Sequence, residues 1–252
     1  MIKLMRIEIL GVPIDGVTRK EAFLTVAAFL GGNVGRMVFT PNPEMLVLAK
    51  YDEEFLKVLG SADLAIPDGT GLLWAARRQG TPIPERVTGT DLMQDIVALA
   101  AAGGRSIFLL GGTPRVAEKA AAELKRRYPD LIVAGAMSGG RVHHDTEGRP
   151  IADHDVIEAI RSSAPAVLFV AFGHGNQEKW IRHNLSSLPS VRLAMGVGGA
   201  FDFIIGRARR APRSWQQIGL EWLWRLIREP RRFGRIWRAV VVFPFLILTS
   251  KR

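Results

Sequence analysis

The chain has 252 residues and a mass of 27.7 kDa, with 48% hydrophobic and 23% charged residues. That is enough apolar material for one large core or two small ones, and too much for a disordered chain. Without a cysteine it can hold no disulfide, no thiolate-bound metal and no cysteine nucleophile, which accords with a reducing cytoplasm. The formal charge of +10 sits at one end: residues 206–252 carry twelve Lys and Arg against two Asp and Glu, whereas the residues before them carry 22 of each. The same end holds Trp215, Trp222, Trp224 and Trp237. A basic, Trp-rich segment of this kind suits an anionic partner, either a membrane surface or nucleic acid.

In chain order, Arg6 to Val12 reads as a strand followed by a turn at Asp15–Gly16. Thr18 with Glu21 three residues on is a capping-box signature, opening a helix to about Leu30. Arg36 to Thr40 is a strand that stops at Thr40-Pro41-Asn42-Pro43-Glu44. Helices are predicted over Pro43 to Lys50 and Asp52 to Leu59, then a short strand over Leu64 to Ile66 that ends at Pro67-Asp68-Gly69. A helix to about Gln79 and another from Gly89 to Ala102 follow. Ser106 to Leu110, the turn Gly111-Gly112-Thr113-Pro114 and a helix over Val116 to Tyr128 form the clearest strand–turn–helix unit, with Pro114 suited to a first helical turn. Leu131 to Ala136 is a strand, Val156 to Ser162 a helix, Ala166 to Phe172 a buried strand, Gln177 to Leu185 a helix and Arg192 to Val197 the last strand. This alternation predicts an α/β fold, a mainly parallel sheet with helices on both faces. It spans residues 1–205, and residues 206–252 form a separate basic, helical appendage.

No segment reads as a signal peptide, since Met1 to Val12 has no long apolar stretch and no small-residue cleavage site. The longest apolar run, Ala239 to Leu248, has ten residues and contains Pro244, against the ~20 that a spanning helix needs. The expectation is a cytoplasmic chain that touches a membrane without crossing it.

In open parallel sheets, ligands bind beyond the carboxyl ends of the strands. Five strand ends here carry polar or glycine-rich turns: Thr40 to Glu44, Pro67 to Gly71, Gly111 to Thr113, Gly173 to Glu178 and Gly196 to Asp202. Glycine lets backbone N–H groups approach a ligand, and helix N-termini favour phosphate. A nucleotide-like, phosphorylated ligand is the inference, although similar turns occur in many α/β proteins.

The succession T-P-N-P-E (40–44), P-D-G-T-G (67–71), R-V-T-G-T-D-L (86–92), G-G-x-x-x-V-A-E (111–118), G-x-x-x-Q-E-x-W-I (173–181), G-V-G-G-A-F-D (196–202), R-A-P (210–212) and G-L-E-W-L-W-R-L-I-R-E-P-R-R (219–232) closely resembles the WecG/TagA/CpsF family, bacterial glycosyltransferases of family 26. It runs over nearly the whole chain, in order. The resemblance implies a Rossmann-like α/β body with a C-terminal appendage that engages the membrane and helps complete the site. It implies an inverting enzyme without a metal requirement or other cofactor. Such an enzyme moves a sugar of the N-acetylmannosamine type from a UDP-sugar to a polyprenyl-diphosphate-linked sugar, for teichoic acid, common antigen, capsule or exopolysaccharide.

Inversion by direct displacement needs a carboxylate to take the acceptor's proton, and the resemblance puts Asp68 there; the alternative is a plain Pro-Asp-Gly turn. It places Thr40, Asn42, Arg86 and Gln177 in the active-site pocket. Thr40 and Asn42 would bond the donor sugar or its diphosphate, or merely cap the following helix. Arg86 would neutralise the diphosphate, or be a solvated surface arginine. Gln177 would bind substrate or orient Asp68, or simply belong to the first turn of its helix. Gly111 and Gly112 are candidates for backbone contact with the substrate. Arg225, Arg232 and Arg235 match positions through which the family's appendage reaches the site. Spacings of seven between Arg225 and Arg232, and of four and three along Arg228, Arg232 and Arg235, cluster them on a helix, unless Pro230 breaks it. The alternative is contact with lipid headgroups alone.

Two metal-like patterns are discounted. Asp153-His154-Asp155 opens a helical pattern and reads as a cap, and His143, His144 and Asp145 lie in a loop. Against the transferase stand a nucleic-acid-binding module that uses the cationic end, for which no motif is present, and a nicotinamide-dependent dehydrogenase, for which no G-x-G-x-x-G stands at a strand–helix junction. Nucleic acid is therefore not the expected partner. The donor sugar (N-acetylmannosamine, its uronic acid or glucose), the pathway and any homo-oligomer stay open.

Overall fold

The computed structural model describes residues 5–139, 143–144, 150–151, 154–212, 214–215 and 219–250. Strands β1 (Arg6–Ile9) and β2 (Val12–Asp15) form an antiparallel hairpin, where the sequence suggests one strand and a later turn. The chain reverses at Leu10 and Gly11, both at positive φ (50° and 81°). Leucine rarely takes that conformation, so nothing local announces the turn.

Helix α1 (Arg19–Gly31) starts from the expected capping box, with Glu21 N–H donating to Thr18 Oγ1 and Thr18 N–H to Glu21 Oε2. Then follow β3 (Arg36–Phe39), α2 (Pro43–Ala49), α3 (Glu53–Gly60), β4 (Leu64–Ala65), α4 (Thr70–Arg78), α5 (Gly89–Ala102), β5 (Ser106–Gly111), α6 (Val116–Arg127) and β6 (Ile132–Met137). Next come a small antiparallel pair, β7 (His143–His144) with β8 (Pro150–Ile151), then α7 (His154–Ser163), β9 (Val167–Ala171), α8 (Asn176–Asn184), β10 (Leu193–Gly196) and α9 (Ala200–Ile204). The two histidines read as loop residues thus lie in a short strand. His154 opens α7, and Asp145 and Asp153 lie outside the described residues.

Six strands form one all-parallel sheet in the order β4-β3-β10-β9-β5-β6. Every residue of β9 is buried, as expected of a strand covered on both faces. Successive side chains alternate between two cores. Phe108, Leu110, Leu168, Val170 and Ala194 join one, shared with the hairpin, α2, α3, α4 and α8. Ile107, Leu109, Val167, Phe169, Leu193 and Met195 join the other, with α1, α5 and α6.

Beyond α9 the chain runs through α10 (Glu221–Arg228), a 3-10 turn (Pro230–Arg232), α11 (Phe233–Trp237), a π-helical turn (Arg238–Val242) and α12 (Phe243–Thr249). A single helix through Arg225, Arg232 and Arg235 does not form. Glu229, at φ −134° and ψ 69°, leaves the helical region, because the residue before a proline clashes there with the ring. Phe243 and Ile247 insert into the first core. Among the described residues no helix is long and apolar enough to cross a membrane.

Candidate active site

The carboxyl ends of β3, β4, β9 and β10 open onto a cavity of about 510 Å³, which the C-terminal helices close from the other side. The turn after β4 is stitched to its neighbours: Asp68 N–H donates to Pro41 O (3.0 Å), and Val87 N–H to Pro67 O (3.2 Å). Asp68 thereby faces the first turn of α5, whose Gly89 N–H donates to its Oδ2 at 3.2 Å. Only glycine fits at 89, since a Cβ there would lie 2.9 Å from Thr40 Cγ2. Gly71 is equally constrained, with Pro43 Cγ 2.7 Å from any Cβ. The Thr-Pro-Asn-Pro and Pro-Asp-Gly-Thr-Gly segments are thus pressed together at the rim of the sheet. Burial pushes the Asp68 carboxyl above the ordinary aspartate range. The Gly89 N–H and the charges of Arg86 and Arg225 oppose that shift, and Glu221 adds to it.

Eight of the ten residues singled out in the sequence line this cavity: Asp68, Thr40, Asn42, Arg86 and Gln177 from the sheet side, Arg225, Arg232 and Arg235 from the C-terminal helices. Asn42 also caps α2, accepting from Met45 N–H at 3.1 Å, so capping and a place in the cavity coexist. Gly111 and Gly112 do not line it. Gly111 ends β5 and Gly112 follows it, and β5 lies on the far side of β9 from β10 and β3. Their glycines serve packing: a Cβ on Gly111 (φ +108°) would sit 2.7 Å from the Ala171 backbone, and one on Gly112 (φ +80°) 3.1 Å from Val116.

Gln177 is buried with a fixed amide. Gly198 N–H can only donate and reaches Gln177 Oε1 at 3.0 Å, so Nε2 is the atom that donates to Glu178 Oε1 at 2.7 Å. Glu178 is fully buried and also accepts from Gly175 N–H at 2.8 Å. Burial pushes its carboxyl up, against His174, Gln177 and Gly175. Gly196 makes room for this pair, since its Cβ would meet Gln177 Nε2 at 2.7 Å.

The arginines divide by partner. Arg86 donates to Glu221 Oε2 at 2.8 Å, with 16% of its side chain exposed, and is no solvated surface residue. Glu221 also faces Arg210 at 3.8 Å, and Arg210 bonds Asp91 at 2.9 Å. The Arg225 side chain makes no hydrogen bond or ion pair among the described residues. Its guanidinium lies 5.1 Å over the Phe203 ring, and burial lowers its hold on its proton, with Arg232 adding to that and Glu221 and Asp68 opposing it; an arginine stays charged all the same. Arg232 pairs with Glu229. Arg235 Nε lies 3.0 Å from both oxygens of Glu44. Arg228, which a continuous helix would place beside Arg232, instead stacks on Trp224 at 5.0 Å. Trp74, Trp222, Ile236, Ala239, Val240 and Pro244 give the cavity an apolar wall beside this charge.

Glu44, Arg210 and Glu221 stand in the sequence motifs without a role, His174 falls at an unspecified position of one of them, and Trp222 is read only as part of the Trp-rich end. The readable signal was an acid in the otherwise apolar run Pro43-Glu44-Met45-Leu46-Val47-Leu48. Among the described residues no cluster of His, Asp and Glu could hold a metal ion.

An open parallel sheet with a carboxylate and several guanidiniums at its strand ends is a setting for group transfer from a phosphorylated donor. Three N-acetylglucosaminyldiphosphoundecaprenol N-acetyl-beta-D-mannosaminyltransferases, from Staphylococcus aureus strains MW2, NCTC 8325 / PS 47 and MRSA252, are each 29% identical to this chain over 249 residues, 98% of it and 94% of each of them. The profile of the family described as Glycosyl transferase WecG/TagA/CpsF matches residues 7–252, and the chain belongs to that family of glycosyltransferase enzymes.

Proposed function

We propose that this protein transfers an N-acetylmannosamine-type sugar, with inversion, from a UDP-sugar to a polyprenyl-diphosphate-linked saccharide in cell-surface polysaccharide synthesis. The observation that carries this reading is one cavity holding both a desolvated carboxylate, Asp68, and guanidiniums from two distant parts of the chain. Asp68 takes the proton of the acceptor hydroxyl. The freed oxygen attacks the anomeric carbon from the face opposite the nucleotide, and the bond to the diphosphate breaks as the new glycosidic bond forms. A carboxyl raised above its ordinary range is the better base near neutrality. UDP departs with its charge met by Arg86, Arg225, Arg232 and Arg235, since fixed guanidiniums bind phosphate oxygens as they take up charge. In this reading no divalent cation has a role.

Residues 206–252 act as an appendage that brings the site to the cytoplasmic face of an anionic membrane. Their outer surface exposes Ile227 (64%), Phe245 (62%), Phe233, Trp237 and Leu248 beside exposed basic residues such as Arg228. Such a mixture suits the headgroup boundary. The apolar wall of the cavity gives the first isoprene units a dry surface on which to lie. The 29% identity to the three mannosaminyltransferases supports N-acetylmannosamine as the sugar.

The test offers a panel of UDP-sugars with a short-chain polyprenyl-diphosphate-linked N-acetylglucosamine, in excess chelator, and weighs the product. A product heavier by one N-acetylhexosamine, with UDP released only when the lipid is present, is expected. Transfer to no lipid-linked acceptor from any UDP-sugar would overturn the reading.

A further inference from the structure

Glu44 has no part in the chemistry above, yet it is one of the few buried carboxylates, 7% exposed, on a helix whose other buried residues are all apolar. Helix α2 does not need it as a cap, because Asn42 supplies that bond. Its partners all lie elsewhere in the chain. Arg235 Nε lies 3.0 Å from each oxygen, Arg238 Nη1 is 3.4 Å from Oε1, and His174 Nδ1 is 3.3 Å from Oε2. Burial alone would raise the Glu44 carboxyl, but the guanidinium of Arg235 beside it opposes that, and the carboxyl stays below the ordinary glutamate range. A carboxylate kept charged in such a place is costly without its partners, so it draws the C-terminal segment onto the sheet.

The geometry also sets the direction of Arg235. Its Nε faces Glu44 and its Nη2 lies 3.0 Å from His174 Nδ1. A guanidinium can only donate, so the donors without a partner among the described residues are both on Nη1 and the second on Nη2, in a residue that lines the cavity.

We propose that Glu44 is a positioning residue, which grips Arg235 through Nε, clamps residues 233–242 over the cavity and presents the Nη1 donors of Arg235 to the diphosphate of the sugar nucleotide. This rests on the reading of the cavity as a diphosphate-transfer site. A guanidinium held in advance costs less to order on binding than one recruited from solvent.

The experiment compares the full-length wild type with Glu44→Gln, Arg235→Gln and the double variant. The readouts are amide hydrogen exchange over residues 233–242, UDP affinity by calorimetry, and kcat/KM for the UDP-sugar. Glu44→Gln is expected to speed exchange in that segment about tenfold with the β9 amides unchanged, and to weaken UDP binding and kcat/KM by about tenfold. In the Arg235→Gln background it should add almost nothing, because the two residues act through one contact.

Three results would each overturn the proposal. Exchange and kcat/KM could be unchanged in Glu44→Gln; UDP could bind more tightly there, making Glu44 a competitor of phosphate; or the two effects could multiply in the double variant, making the role structural only. Should Glu44→Gln fail to fold, Glu44→Asp, which keeps the charge on a shorter arm, takes its place in the same cycle, and a full multiplication there overturns the proposal equally. If the wild type transfers no sugar, the transfer reading falls, while exchange and UDP affinity still decide whether Glu44 holds Arg235.

Discussion

The sheet region and the C-terminal segment are held together by different physics. The sheet region buries Phe39, Phe55, Phe169, Trp180 and dozens of aliphatic side chains in two continuous cores. Between residues 219 and 250 only Phe243 and Ile247 are buried, while Phe233, Trp237, Phe245 and Leu248 face outward. What seats this segment is that short plug and a line of ion pairs, Arg86 with Glu221 and Arg235 and Arg238 with Glu44. A region built on cores holds its shape alone, whereas one built on a plug and charge pairs sits on the low-stability side and opens locally. The proposed base belongs to the first region and most of the proposed phosphate-binding arginines to the second. In the proposed mechanism the chemistry therefore depends on the weaker region being in place.

Asp68→Asn is the strongest test of that division, because it touches neither the plug nor the pairs. Asparagine can still accept from Gly89 N–H, so the fold and UDP affinity are expected to stay near wild type. Removal of a general base should lower kcat by about 10³-fold. Single-turnover kinetics with calorimetry on the same preparation separate the two. Near-normal turnover would show that the base lies elsewhere.

Phe243→Ala weakens the other side. Truncating a buried phenylalanine costs about 3–5 kcal/mol, and here the cost falls on seating the segment. Exchange over residues 221–249 should accelerate with β5 and β9 unchanged, and kcat/KM should fall with it. Phe169→Ala, in the sheet core, should instead lower the melting temperature of the whole. If Phe243→Ala destabilises the sheet amides as much as its own helix, the two regions unfold as one and the contrast drawn here is false.

The sheet region was legible because its signals are local. The Thr18–Glu21 box, Asn42 as a cap and the all-apolar run of β9 each declare an element within a few residues, and the structure keeps most of these boundaries to within two positions. The hairpin turn escaped because a leucine occupies a left-handed position. Gly111 and Gly112 looked like ligand-facing glycines because a sequence gives strands in chain order. It does not give the spatial order, which sets β5 on the far side of β9 from β10 and β3. In the C-terminal segment Pro230 signalled a break without saying where the chain would go next. Arg225, Arg232 and Arg235 meet at one cavity across that break, where Arg235 pairs with Glu44 and Arg86 with Glu221 over distances in sequence that no spacing rule encodes.

The subtlest test reads the electric field that the two regions share at Asp68. A base works only when deprotonated, so kcat/KM should rise with pH through the Asp68 titration, and burial puts that rise above the ordinary aspartate range. Two residues of the C-terminal segment act on it with opposite signs. Arg225 favours the charged carboxylate, so Arg225→Gln should move the acidic limb to higher pH. Glu221 disfavours it, so Glu221→Gln should move the limb to lower pH, whatever either does to the plateau. Arg86→Gln, from the sheet side, should move it in the same direction as Arg225→Gln. Opposite displacements from two positions on one helix cannot come from a general loosening of the fold, which would shift both the same way. If neither moves the limb, the C-terminal segment does not share the field at Asp68 during turnover, and the site belongs to the sheet alone.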